Sequence, residues 1–209
     1  MVAVRPLPRR FFARPSPVVT RDLIGRLLVR RVPGARLVGR IVECEAYQED
    51  DPASHSYRGL TARTAVMFGP PGRLYVYFTY GMHHCMNVVT GADGEGSAVL
   101  LRAVEPLDGL EWMRSRRGLA DPRLLCSGPA RLTQAYGIGR ADNGIDLVSG
   151  RTMFVSEGAP VADGKVVAGP RIGITVGTER TWRFYERGSP FVSKAGRVPP
   201  PASRGRRTG

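Results

Sequence analysis

Apolar and polar positions follow a readable pattern along most of the chain. From Thr20 to Arg30, residues Leu23, Ile24, Leu27 and Leu28 recur at helical spacing, which predicts a helix capped by Thr20. From Leu37 to Tyr47 the period drops to two. A strand there places Ile41, Glu43, Glu45 and Tyr47 on one face and Val42, Cys44 and Ala46 on the other. Leu74 to Tyr80 is a β-rich run, Gly81 breaks it, and His83 to Thr90 resumes as a second strand. A third, Ser97 to Val104, follows a Gly-rich turn. Pro106 to Arg117 reads as a helix with Leu107, Leu110 and Met113 on one side. Pro129 to Tyr136 reads as another, with proline at the start, where a missing N–H costs nothing. Short strands around Thr152–Val155, Val166–Ile174 and Arg183–Tyr185 complete the pattern. Residues 48–73 form a polar, Gly/Pro-punctuated loop, and loops of that length in compact domains are mostly functional. There is no internal repeat and no clear linker. The expected fold class is α+β: a single compact domain over residues 17–195, built on a curved, mainly antiparallel β-sheet with flanking helices.

Composition narrows the partners. The 209 residues are 42% hydrophobic and 23% charged, enough to bury a core. No apolar run approaches the roughly 20 residues that span a bilayer, so no membrane span is expected. Three cysteines cannot close a disulfide framework, which points to a reducing compartment: cytoplasmic, and nucleoid-associated if bacterial. The net charge of +13 favours a polyanion: DNA, RNA or an acidic membrane surface. Of 31 basic residues only Lys165 and Lys194 are lysine; arginine suits phosphate, though coding bias gives the same skew. The excess is uneven. Residues 1–40 carry +9 and 188–209 carry +5, while 41–187 sum to −1. Arg9-Arg10-Phe11-Phe12 is not followed by the apolar stretch of an export signal. Residues 1–16 therefore read as a basic, Pro-rich, poorly ordered arm, and 196–209 as a basic Pro/Arg-rich tail.

Candidate chemistry concentrates between the arms. Glu43 and Glu45 share a strand face, about 7 Å apart at two residues of rise. They are either solvated glutamates or a working pair. Glu49, Asp50, Asp51 and His55 follow closely, and carboxylates kept near a nucleic-acid surface point to chemistry. Arg102 interrupts the apolar run Ala98 to Val104, so it must be paired, for example with Glu105, or face a site. Asn87 is either a satisfied core amide or a pocket lining. Tyr75, Tyr77 and Tyr80 suit cross-strand packing, but Tyr80 precedes Gly81 at a hairpin tip and could project as a wedge into a base stack. His83 and His84 point to opposite sides of their strand, and no metal-ligand spacing is present, so no metal and no cofactor are expected.

Taken together, these stretches resemble the alkyladenine (3-methyladenine) DNA glycosylase family, the metal-free type without a helix-hairpin-helix. The resemblance is carried by Ile41-Val-Glu-Cys-Glu-Ala-Tyr47, Asp51-Pro-Ala-Ser-His55, Met67-Phe-Gly-Pro-Pro-Gly72 and Leu74 to Met82. It continues through Cys85-Met-Asn87, Leu100 to Pro106, Cys126-Ser-Gly-Pro129 and Arg183 to Pro190, covering residues 18–193 in order. It implies an enzyme that flips a damaged purine from duplex DNA and hydrolyses its N-glycosidic bond. Glu45 matches the family's general base and Arg102 the arginine that helps hold the water. Tyr47, His55 and Tyr77 match the groups that stack on or hydrogen-bond to the base. Asn87 matches the asparagine that discriminates against guanine. Tyr80, with Met82 beside it, matches the residue that fills the gap in the stack. Glu43 is then a support or solvated residue. With no lysine near a motif, a monofunctional enzyme is expected. His83 and His84 depart from an expected aromatic, and Ala62 and Thr64 from expected proline and asparagine, leaving wedge-flank and loop contacts to DNA open.

Two other readings compete. A non-enzymatic nucleic-acid-binding protein leaves Glu43, Glu45 and Arg102 unexplained. A metal-free nucleoside or sugar glycosidase using Glu43 and Glu45 leaves the basic arms and the Tyr80-Gly81 tip unexplained. The expected partner is double-stranded DNA containing damaged purines, with no membrane partner, bound by a monomer.

Overall fold

The computed structural model describes residues 5–193 apart from Tyr80 and Pro160. The chain opens with two short helices, α1 (Arg9–Phe12) and α2 (Ser16–Leu23). Strands β1 (Leu27–Val32) and β2 (Ala35–Tyr47) follow as a hairpin. The helix expected from Thr20 to Arg30 is thus two elements. Gly25, at φ +90°, turns the chain between them, and a β-carbon there would lie 2.7 Å from the Ala159 carbonyl oxygen. Thr20 is not a cap but an interior residue, whose hydroxyl donates to the Ser16 carbonyl at 2.6 Å.

Strands β3 (Leu74–Thr79), β4 (His83–Val89) and β5 (Ala98–Asp108) come next. The helix expected from Pro106 starts later, as α3 (Leu110–Arg117). Pro106 stays in β5 because it faces an irregularity at Val38/Gly39 of β2, where a missing N–H is tolerated. The turn into α3 falls on Gly109, at φ +75°. Helices α4 (Pro122–Leu125) and α5 (Pro129–Tyr136) lead to β6 (Met153–Ser156), β7 (Val166–Gly169) and β8 (Arg183–Glu186).

The strands form one sheet, ordered β3-β4-β5-β2-β1-β6, with every pairing antiparallel. The long β2 uses one edge twice. Its first half pairs with β1, and Glu43–Glu45 pair with β8, which in turn holds β7. This curls the sheet and leaves Glu43 and Glu45 with a strand on either side. One core cluster gathers Leu23, Leu28, Ile41, Cys44, Leu101 and Tyr136 from the sheet, α2 and α5. The fold is the expected mixed α+β domain. Among the described residues no helix is long and apolar enough to cross a membrane.

Residues 5–16 are not a loose arm. Leu7 and Phe12 are buried, the Leu7 N–H donates to the Val155 carbonyl at 2.8 Å, and Arg9 pairs with Asp146. Three apolar side chains, Leu7, Phe11 and Phe12, outweigh the Pro/Arg composition by packing against the core. Residues 1–4 and 196–209 lie outside the described residues.

Candidate active site

The site begins with a pair of offsetting irregularities between β2 and β5. Ile41 faces Val104, Glu43 faces Ala103, and Cys44 faces Leu101. Val42 on β2 and Arg102 on β5 are therefore each the extra residue of a bulge. A bulge re-aims the side chain it carries, and the two together restore the register. The first shifts the alternation, so Ile41 leaves the face expected for it and joins the core beside Cys44. The second turns Arg102 towards the two glutamates.

Arg102 then spans both. Its Nε donates to Glu43 Oε1 at 3.0 Å and its Nη1 to Glu45 Oε2 at 3.2 Å. Glu105, the alternative partner, pairs instead with Arg40 at 2.8 Å. Glu45 is 0% exposed. Its Oε1 accepts from the Ile172 N–H at 2.7 Å, and its Oε2 also accepts from the Tyr47 hydroxyl at 3.0 Å. A carboxylate offers about four lone-pair directions; three are taken. Burial raises the Glu45 carboxyl above the usual glutamate range, opposed chiefly by the Arg102 charge. Burial, then the Glu45 charge, pushes the Tyr47 hydroxyl well above its ordinary value, so it stays a donor.

In front of this group lies a cavity of about 320 Å³. Tyr47, His55, Tyr77, Asn87 and Arg102 line it, joined by Tyr75, Cys85 and Ile172. Glu45 lies just behind the wall, held by three of its members. His55 stands edge-on to Tyr77 with ring centroids 4.5 Å apart. Its Nδ1 meets the Tyr75 hydroxyl at 3.1 Å, and Arg63 Nη2 approaches Nε2 at 3.4 Å. Arginine can only donate, so Nε2 accepts and Nδ1 carries the proton. Burial, reinforced by Arg63, lowers His55 to about 4, which keeps the imidazole neutral. Asn87 is buried and donates from Nδ2 to the Tyr75 carbonyl at 3.2 Å.

The structure thus brings together six of the eight expected site residues. Met82 is elsewhere, 70% exposed at the β3–β4 turn. Tyr80 lies outside the described residues. The acidic run after Glu45 is structural rather than chemical. Glu49 accepts from the Gly96 N–H at 3.1 Å, Asp50 pairs with Arg180 at 3.0 Å, and Asp51 forms a fully buried pair with Arg171. Arg171 and Ile172 were not legible as site residues. The Arg171 guanidinium lies 4.7 Å from the Tyr47 ring centroid and donates to the Ala46 and Gly177 carbonyls at 3.0 and 3.1 Å. It thereby anchors the segment whose Ile172 N–H reaches Glu45. The one signal in the sequence was a charge inside an apparent strand, as for Arg102. Among the described residues no group of three or more His, Cys, Asp or Glu side chains could hold a metal ion.

A mixed α+β domain with an aromatic cavity, backed by a buried carboxylate and arginine, has room and lining to enclose one flat ring. Comparison with known proteins makes this specific. The family model described as methylpurine-DNA glycosylase (MPG) matches residues 10–190. A protein of Carboxydothermus hydrogenoformans named "Putative 3-methyladenine DNA glycosylase" is 50% identical over 188 residues, covering 90% of this chain and 98% of its own. Proteins with the same name from Burkholderia lata (54% identical, covering 90% of each chain) and Chlorobaculum tepidum (45%, covering 93% of each) match likewise. The chain belongs to the methylpurine-DNA glycosylase family, and it is a DNA glycosylase.

Proposed function

We propose that the protein removes alkylated or deaminated purines from double-stranded DNA: 3-methyladenine, 7-methylguanine, hypoxanthine and ethenoadenine. The damaged nucleotide flips into the cavity, where its base lies among Tyr47, His55 and Tyr77. Glu45 acts as general base on a water held with the help of Arg102. As the bond between C1′ and the base nitrogen breaks, the sugar gains oxocarbenium character, which the carboxylate stabilises. The water oxygen bonds to C1′, its proton passes to Glu45, and the bonding pair leaves with the base. Asn87, at the floor, opposes the exocyclic amino group of normal guanine. Tyr80, with Met82 beside it, fills the gap left in the stack.

One observation carries this reading: a fully buried glutamate with three of its lone pairs occupied and one left, directly behind an aromatic cavity. The proton acceptor is fixed in place by Ile172, Tyr47 and Arg102, and burial raises it above the ordinary glutamate range, which makes it a stronger base. Lys165 is exposed and away from the cavity, which supports plain hydrolysis without strand cleavage by a Schiff base. The protein acts as a monomer in the cytoplasm, on nucleoid DNA in a bacterium.

A duplex carrying one hypoxanthine or ethenoadenine tests this. The expected product is an intact abasic strand that breaks only after hot alkali. Strand breakage without alkali contradicts the monofunctional mechanism, and an unchanged base contradicts the activity.

A further inference from the structure

Glu43 is as buried as Glu45, yet the reaction makes no use of it. It is also more heavily bonded. Arg102 Nε donates to its Oε1 at 3.0 Å and Arg183 Nε at 2.7 Å. The Ser193 N–H donates to its Oε2 at 2.7 Å and the Ser193 hydroxyl to its Oε1 at 2.9 Å. Arg102 Nη2 reaches the same hydroxyl at 3.4 Å. Glu43 therefore joins three elements far apart in sequence: β5 through Arg102, β8 through Arg183, and the segment after β8 through Ser193.

Two further facts bear on its role. Arg102 is the extra residue of a bulge, so the ladder alone does not fix where its guanidinium points. The guanidinium is a rigid fork, so holding Nε sets the direction of both terminal nitrogens. The charges also balance: Glu43 and Glu45 face Arg102 and Arg183, and removing one changes the field on the rest.

We propose that Glu43 is a positioning residue: it clamps Arg102 by Nε so that Nη1 meets Glu45, offsets the second arginine, and ties the chain at Ser193 to the same centre. This rests on the reading of Glu45 and Arg102 as the hydrolytic pair. His55, which lines the same cavity, is lowered to about 4. The other titratable groups near Glu45 are Tyr47, Cys44 and Cys85, on β2 and β4. All three are pushed upward by burial, so they stay protonated and uncharged at acid pH. Arg171, beyond Tyr47, stays paired with Asp51.

The test is the pH profile of single-turnover base release, per active site titrated with damaged duplex, for wild type, Glu43→Gln, Glu43→Asp and Arg183→Gln. Wild-type release is the control for the activity itself; its absence overturns the proposed function and not this role alone. Glu43→Gln leaves two arginines on one glutamate. Its acid limb moves to lower pH by about one unit, and its plateau falls by roughly a hundredfold, the cost of a misplaced group. Duplex affinity stays within twofold. Glu43→Asp restores the wild-type limb. Arg183→Gln, at a side chain 13% exposed, shifts the limb the opposite way and serves if Glu43→Gln does not fold. An unshifted limb in Arg183→Gln, or in a folded Glu43→Gln with the wild-type plateau, overturns the proposal. So does a loss of rate explained wholly by a smaller folded fraction.

Discussion

At the scale of single residues, the centre works by limiting what each group can do. Glu45 is buried but keeps its hydrogen bonds, and burial holds its carboxyl above the ordinary glutamate range. A general base must be ionised, so base release should fall as pH drops through that raised value, giving an acid limb above about 4.3, the value for a free glutamate. A rate profile between pH 4 and 8 checks this; a limb below the ordinary range contradicts it. His55 is the complementary case. Lowered to about 4, it stays neutral at and above neutral pH, and its ring signals should not titrate between pH 5 and 8 by NMR. Arg63→Ala removes the lesser cause and leaves burial, so the midpoint should rise yet stay below 6.5. These roles were partly legible. Glu45, Arg102 and Asn87 were visible as polar residues in apolar strands, where polarity must be satisfied or used. Arg171 and Ile172 were not, because a backbone N–H has no sequence signature and Arg171 finds its partner Asp51 120 residues away.

At the scale of elements, the irregular places do the positioning. The bulges at Val42 and Arg102 cannot be read from alternation, which assumes an unbroken period of two. That is why Ile41 is expected on the Glu43 face and lies instead in the core. The spacing of Leu23, Ile24, Leu27 and Leu28 satisfies a helix by coincidence, and Gly25 supplies the stop. The antiparallel strands β3, β4 and β5 were legible because each alternates cleanly or is bounded by glycine. A third irregularity, at Gly39, packs β2 against Tyr136 of α5. A β-carbon there would lie 2.5 Å from Val104 Cγ2 and 2.6 Å from the Tyr136 hydroxyl. Gly39→Ala should therefore destabilise the fold by about 1–3 kcal/mol, the cost of overpacking. Urea denaturation measures it; an unchanged midpoint would show that β2 has room to move.

At the scale of the molecule, charge and chemistry are separated along the chain. The central stretch 41–187 is nearly neutral, while the flanking segments carry the excess. The N-terminal share, however, belongs to the fold. Phe12→Ala should cost about 3–5 kcal/mol, as for other buried phenylalanines, and deletion of residues 1–16 should unfold the protein rather than merely weaken its grip on DNA. Composition could not reveal this, since prolines and arginines hide two buried anchors. Deletion of residues 196–209 is the separable case. It removes four arginines, and should lower duplex affinity and reduce the salt slope by about 0.9 for each phosphate that the tail neutralises, with base release in the bound complex unchanged. Titration at several salt concentrations checks it, and a slope equal to that of the full chain would contradict it.

The proposed role of Glu45 is to drive hydrolysis of a flipped purine. Its most direct test is single-turnover release of hypoxanthine or ethenoadenine by wild type and Glu45→Gln, with duplex affinity measured in parallel. The expected result is a loss of at least about a hundredfold in rate for Glu45→Gln, with damaged duplex bound as before. Equal rates in the two proteins would contradict it.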